Sequence, residues 1–191
     1  MRHIYLPIAV AALAACDNAP TEYATPVVVS GINAKTEEHR NHTTQLKGDE
    51  EVPPRETAAT GNAVFHISAD GNSVDYKVIV ANIDNVFMSH IHIGPAGSNG
   101  PIAVWLYPST APVPGAPGGG RFNGVIASGT FTAADLTAAS GAWDGTWASL
   151  LAAIRSGGAY TNVHTNDGVG DPNTGPGDFP GGEIRGQFKG Q

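Results

Sequence analysis

Thr60-Gly61-Asn62-Ala63-Val64-Phe65-His66-Ile67-Ser68-Ala69-Asp70-Gly71-Asn72-Ser73-Val74-Asp75-Tyr76-Lys77-Val78-Ile79-Val80 is the stretch that decides the fold class. Successive side chains of an extended strand point to opposite faces. Val74, Tyr76, Val78 and Val80 therefore share one face, and Asp75, Lys77 and Ile79 take the other. Thr60–Ser68 reads as a second strand, with Phe65 and Ile67 inward and His66 outward. Asp70-Gly71-Asn72 between them has the composition of a tight hairpin turn. The unit is two antiparallel strands, and the rest of the chain repeats that grammar.

Further strand signals fall at Phe87–Ile93, Ile102–Tyr107, Phe122–Phe131, Tyr160–Thr165 and Glu183–Phe188, separated by turn-forming residues. One helix interrupts them. Asp144-Gly145-Thr146 offers a cap, Trp147, Leu150, Leu151 and Ile154 recur at helical spacing, and Gly157 supplies a stop. Thr132-Ala133-Ala134-Asp135 has the form of a capping box before a short helical turn. The spacing predicts an all-β domain, a Greek-key-like β-sandwich of about eight strands with one short crossover helix.

Composition narrows the function classes. With 41% apolar residues, 14% charged residues and a net charge of −7, the 191-residue chain can build a core but carries no basic stripe. Nucleic acid is therefore not an expected partner. The 25 glycines and 14 prolines punctuate apolar runs, and Pro108–Gly120 reads as a mobile loop. No Gly-x-Ser-x-Gly, phosphate-binding loop or dinucleotide fingerprint occurs, and no catalytic residues are assigned.

The amino terminus sets the expected compartment. Arg2 precedes an apolar stretch, Ile4–Ala15, too short to span a bilayer and shaped like a signal peptide. Leu13-Ala14-Ala15-Cys16 resembles the bacterial lipobox, so Cys16 is the expected lipidation site and the membrane the expected partner. Similarity to enteric lipoproteins makes Asp17 a signal for inner-membrane retention on the periplasmic face. The organisation that follows is a signal peptide over 1–15, a lipidated cysteine and tether over 16–42, and a domain over 43–191. Cys16 is the single cysteine. A mature domain without a thiol has no disulfide and no thiolate metal site.

What remains for metal chemistry is imidazole and oxygen. His90 and His92 alternate with Ile91 and Ile93 in Met88-Ser89-His90-Ile91-His92-Ile93-Gly94-Pro95, so both rings leave one face of a strand. Their Cα atoms are then roughly 7 Å apart, close enough for two imidazoles to converge on one ion. His164 in Tyr160-Thr161-Asn162-Val163-His164-Thr165 can supply a third ring from another strand. Imidazole suits copper, zinc, nickel and iron, and three imidazoles accept copper and zinc alike. Tyr160 and Asn162 share the His164 face and are candidates for supporting roles. Glu183 and Arg185 share a face of the last strand. Glu183 is either a carboxylate orienting a ligand histidine or the partner of Arg185. His39 and His42 read as tether, and the Asp167–Asp178 loop lacks the spacing of a calcium-binding helix–loop–helix.

Leu46-Lys47-Gly48-Asp49-Glu50-Glu51-Val52-Pro53-Pro54, His90-Ile91-His92-Ile93-Gly94-Pro95 with Asn99-Gly100-Pro101, and Gly182-Glu183-Ile184-Arg185-Gly186-Gln187 resemble the CHRD (chordin) domain family over about residues 43–190. The resemblance implies a β-sandwich and a bacterial lipoprotein member. It also implies copper binding through His90, His92 and His164, for storage, delivery or stress protection. Chordin itself binds extracellular growth factors, which gives the alternative of an adhesion or scaffold module with structural histidines. The His-x-His strand and the glycine-flanked Arg185 are more distantly similar to copper-zinc superoxide dismutase, which raises a copper-dependent oxidoreductase. This chain departs from that enzyme in having no disulfide, no histidine-rich bridging loop and no evident fourth histidine.

Overall fold

A computed structural model describes residues 40–108 and 119–191. The signal peptide, Cys16, the tether with His39, and most of the Pro108–Gly120 loop lie outside the described residues. Eight strands form: β1 (Asn41–Lys47), β2 (Thr60–Ile67), β3 (Ser73–Asp84), β4 (Val86–Ile93), β5 (Ile102–Tyr107), β6 (Arg121–Thr132), β7 (Ala159–Thr165) and β8 (Ile184–Gln187). They make one antiparallel sheet in the order β5-β4-β7-β8-β1-β2-β3-β6. Among the described residues, the expected all-β class, strand number and one α-helix are found. The layers of the fold are one continuous ladder curled toward a barrel.

The opening hairpin pairs as read, with Thr60 opposite Ala81 and Ile67 opposite Val74. Its turn is pinned by Asp70, whose carboxylate accepts from the Asn72 amide at 3.1 Å and from the Ser68 hydroxyl at 2.6 Å. These bonds hold the Asp70 carboxyl below its ordinary pKa. Register shifts between Val78 and Ile79 and between Val80 and Ile83 break the β3–β6 ladder. Such irregularities bend a strand and raise its twist, which helps a sheet to curl. The two terminal strands, β5 and β6, then come close, and the Tyr76 hydroxyl on β3 donates to the Leu106 carbonyl on β5 at 3.0 Å. A side chain at position 129 would meet the Tyr76 ring at 3.3 Å, so Gly129 leaves Tyr76 room at this seam.

The inner face holds the core, including Phe65, Ile67, Val78, Ile91, Val163 and Ile184. Helix α1 (Trp147–Ser156) packs against it through Leu150, Leu151 and Ile154. Thr146 caps α1 by accepting from the Ser149 amide, and Gly157 ends it in the left-handed region at φ 80°. The Thr132–Asp135 capping box is present, with Ala133–Asp135 forming a short 3₁₀ turn. Burial of the inner side chains is the main stabilising term, at about 1.5–3 kcal/mol for each large aliphatic or aromatic group.

One boundary moves. The tether was expected to run through residue 42, but β1 already begins at Asn41. His42 is buried on β1, with its ring 6.0 Å from that of Phe188. It belongs to the folded domain and not to a solvated linker.

Candidate metal centre

Strand register assembles the centre. β4 and β7 pair so that Met88 faces His164, His90 faces Asn162 and His92 faces Tyr160. β7 and β8 continue the row, with Asn162 opposite Arg185 and Tyr160 opposite Gln187. Ile91, Val163 and Ile184 occupy the inner face, so the histidines stand on the outer face of the sheet. Ordinarily that face would be wet, yet all seven residues of β7 are buried.

Two loops cover it. The Asn99 side-chain amide donates to the Val52 carbonyl at 2.8 Å and joins the 94–101 loop to the 48–58 loop. Arg185 donates to the Pro95 carbonyl at 3.1 Å, and Gln187 to that of Gly94 at 3.0 Å. A side chain at Gly100 would collide with the Ile93 carbonyl, so the 94–101 loop can close only around a glycine there.

The three rings converge beneath this cover. One ligand atom from each of His90, His92 and His164 lies within 4.8 Å of the others, and this is the one such group of His, Cys, Asp or Glu among the described residues. Backbone carbonyls fix two tautomers, because a carbonyl can only accept. His92 Nδ1–H donates to Gly100 O at 2.8 Å, and His164 Nδ1–H donates to Pro180 O at 2.9 Å. Each ring therefore keeps its proton on Nδ1 and presents a bare Nε2. His90 Nδ1 lies 3.1 Å from His164 Nε2. Nitrogens bound at about 2.0–2.1 Å to one ion stand ~2.9 Å apart at a right angle and ~3.4 Å apart at a tetrahedral angle. The observed separation falls between the two. His90 Nε2 and His92 Nε2 are buried and make no hydrogen bond. Leaving such atoms unpaired is costly, and a cation would satisfy the lone pair of His92.

Burial keeps these imidazoles neutral, the form that binds metal. Desolvation pushes His92 and His164 down to about 4. It pushes His90 down to about 2, helped by the neighbouring rings of His164 and His92. Trp105 packs edge-on against His90 with ring centroids 4.1 Å apart.

The side toward β8 is polar but equally buried. Tyr160 stacks on His92, with centroids 4.8 Å apart and planes 3° from parallel. The Arg185 guanidinium lies 3.4 Å over the other face of the tyrosine ring. The Tyr160 hydroxyl accepts from the Gly100 amide at 3.1 Å. These contacts lock the rotamer of His92 from behind. Glu51 is buried close to Arg185, and desolvation lifts its carboxyl to about 7 against the pull of that cation. It sits so close to Gly182 that a side chain there would overlap the carboxylate.

Of the supporting residues expected from sequence, Tyr160, Asn162 and Arg185 lie around the histidines. Glu183 lies elsewhere in the network. Its oxygens accept from Thr57 at 2.5 Å, Thr165 at 2.6 Å and the Gly177 amide at 2.8 Å, so it ties two loops to the end of β7 and neither orients an imidazole nor pairs with Arg185. His66 points outward to Asn41 Oδ1 at 2.7 Å, far from the ligand set. In the Asp167–Asp178 loop, Asp178 accepts from the Thr174 amide and hydroxyl, and Asp167 from the Val169 amide. These carboxylates serve the loop itself. Sequence reading assigned no role to Glu51 or to the Gly100 and Pro180 carbonyls; the glycines at 100 and 182 were the signal that backbone or side chain approaches closely.

The family model described as CHRD domain matches residues 42–172, a span that contains all three histidines. No curated protein and no solved structure gives a match.

Proposed function

The chain belongs to the CHRD domain family, and from that premise we propose that it is an exported, lipid-anchored protein whose three imidazoles hold copper for storage, delivery or protection. The observation that carries the reading is the pair of tautomers. Gly100 and Pro180 accept hydrogen bonds from the Nδ1–H groups of His92 and His164, so both rings turn a bare Nε2 toward the cluster.

A copper ion would be held by His90 Nδ1, His92 Nε2 and His164 Nε2. It would supply the positive charge that neutral, buried lone pairs lack. Ligand atoms that already lie within 4.8 Å of one another need only side-chain adjustment to share one ion. Copper is preferred over zinc because an all-imidazole set follows the general order of divalent affinities, in which Cu(II) leads. The nearly complete burial of His90 and His164 favours holding an ion over turning over a substrate. Anchoring rests on Cys16 in its lipobox-like context.

Protein purified from copper-supplemented medium should contain about one copper per chain and give a type-2 spin-resonance signal. His90→Ala and His164→Ala should each weaken binding at least a hundredfold. If both variants retain copper like the parent, the histidines are structural and the scaffold reading takes over. Cys16→Ser should move the protein from the membrane to the soluble fraction; unchanged partitioning would remove the anchor from the proposal.

A further inference from the structure

The two flanks of the histidine cluster differ in kind. Toward β8 lie Asn162, Arg185 and Glu51, all buried and polar. Toward β5 and the start of β4 lie Phe87, Met88 and Trp105, of which Met88 and Trp105 are half-buried. The Phe87 ring meets His164 edge-on, with centroids 6.4 Å apart. A register shift between Val86 and Met88 adds a residue to β4 at this point. Met88 is directly opposite His164 and shares the outer face of β4 with His90 and His92 by strand alternation. The strand thus carries Met-x-His-x-His along one side, ending in the only sulfur among the described residues.

We propose that the Met88 thioether is the fourth ligand of this centre and makes it a site for Cu(I) as well as Cu(II). The inference rests on the copper reading above and adds the donor that selects the oxidation state. Directly opposed residues of an antiparallel pair have Cβ atoms about 4.5–5.5 Å apart, and the three-bond stem of methionine can span that gap. Thioether sulfur is a soft donor that favours Cu(I) over zinc. Neutral ligands beside aromatic rings also suit a monovalent ion better than a divalent one, because less charge is left uncompensated in a dry site.

The other groups nearby fit the role less well. The Trp105 indole can donate but has no lone pair to give. The Tyr160 hydroxyl is occupied by the Gly100 amide. Glu51 falls outside the group of converging ligand atoms. Asn162 Oδ1 is buried and makes no hydrogen bond. It is the rival fourth ligand, but an amide oxygen is a hard donor and would favour Cu(II) or zinc.

The test uses the detergent-solubilised full chain. Competition against a coloured Cu(I) chelator should show Met88→Leu losing at least tenfold in Cu(I) affinity, with Cu(II) and zinc affinities within threefold of the parent. Each tenfold loss confined to Cu(I) lowers the reduction potential by about 59 mV. Selenomethionine labelling needs no mutation and replaces only Met88 and Met1. The selenium absorption edge of the Cu(I)-loaded chain should then show a directly bonded copper neighbour. Unchanged Cu(I) affinity in Met88→Leu, or selenium without a copper neighbour, overturns the Met88 assignment. If His90→Ala has meanwhile lost copper, the three-histidine reading still stands. Should His90→Ala keep its copper, both fall together. A Leu variant that fails to fold leaves the selenium measurement to decide.

Discussion

β1 and β7 are both seven-residue strands of one sheet, yet β1 alternates strictly between exposed and buried positions while every residue of β7 is buried. The outward side chains of β1 include Thr43, Gln45 and Lys47, and they meet water. Those of β7 meet covering loops: Tyr160 bonds to Gly100 and His164 to Pro180, and Asn162 lies buried between them. A sheet face becomes a site here because loops cover it, and the polar residues beneath must find partners in each other. The β1–β2–β3 half draws its stability from one apolar face. The β4–β7–β8 half depends on a dry polar network as well, and that dependence can be measured.

The largest expected effect is on the covered side. Arg185→Met removes the cation beside buried Glu51 together with three hydrogen bonds, and should cost about 3–5 kcal/mol. Lys77→Met on the exposed face of β3 should stay within about 0.5 kcal/mol by the same denaturant titration. Equal losses in the two variants would mean that the loops do not exclude water.

Acid should come next. The three clustered histidines have an ordinary pKa near 6.5 when unfolded, which burial pushes down to about 4 for His92 and His164 and to about 2 for His90. Their contribution is complete above pH 6.5 and is lost as the pH falls below it, because the unfolded chain takes up protons first. Glu51, raised from 4.5 to about 7, works in the opposite direction: its contribution is full below 4.5 and fades as the pH rises toward 7. With chelator present, the balance from pH 7 to pH 5 is a loss of about 3 kcal/mol. His164→Gln should shrink that loss markedly. An identical acid limb in the variant would show that His164 is not held neutral.

How much of this was legible depended on which half of the sheet was being read. Along β2 and β3 water marks one face, so apolar alternation gave strand, hairpin and inward residues together. Along β4 and β7 the same alternation placed His90, His92 and His164 on one face, and the register then brought them into contact. Burial of that face was not legible, because it is produced by loops whose course depends on contacts distant in sequence, such as Asn99 with Val52 and Thr57 with Glu183. For that reason Glu183 read either as the carboxylate orienting a ligand histidine or as the partner of Arg185, when its bonds run to Thr57, Thr165 and Gly177. His42 was misread for the opposite reason: a short polar stretch gave no sign that its alternate residues pack inward.

Two smaller effects sharpen the contrast. Glu183→Gln keeps the shape but replaces an acceptor by a donor facing hydroxyls or the Gly177 amide, and should cost about 1–3 kcal/mol in thermal or denaturant unfolding. Val64→Thr on the exposed face of β2 should change stability by less than about 0.5 kcal/mol. If the Val64 substitution were the costlier of the two, the outer face of β2 would be covered by something in solution.

The seam between β5 and β6 bears on how copies of this protein behave side by side. A free sheet edge is a template on which another chain can add a strand, and open β-sheets must guard against it. Here the two edges of the sheet approach each other, and Tyr76 reaches from β3 to the Leu106 carbonyl across the gap. At Leu106 the β5 edge is therefore covered by a side chain, while most of β6 stays exposed. In a crowd of such domains, β6 is the edge on which another chain could add a strand.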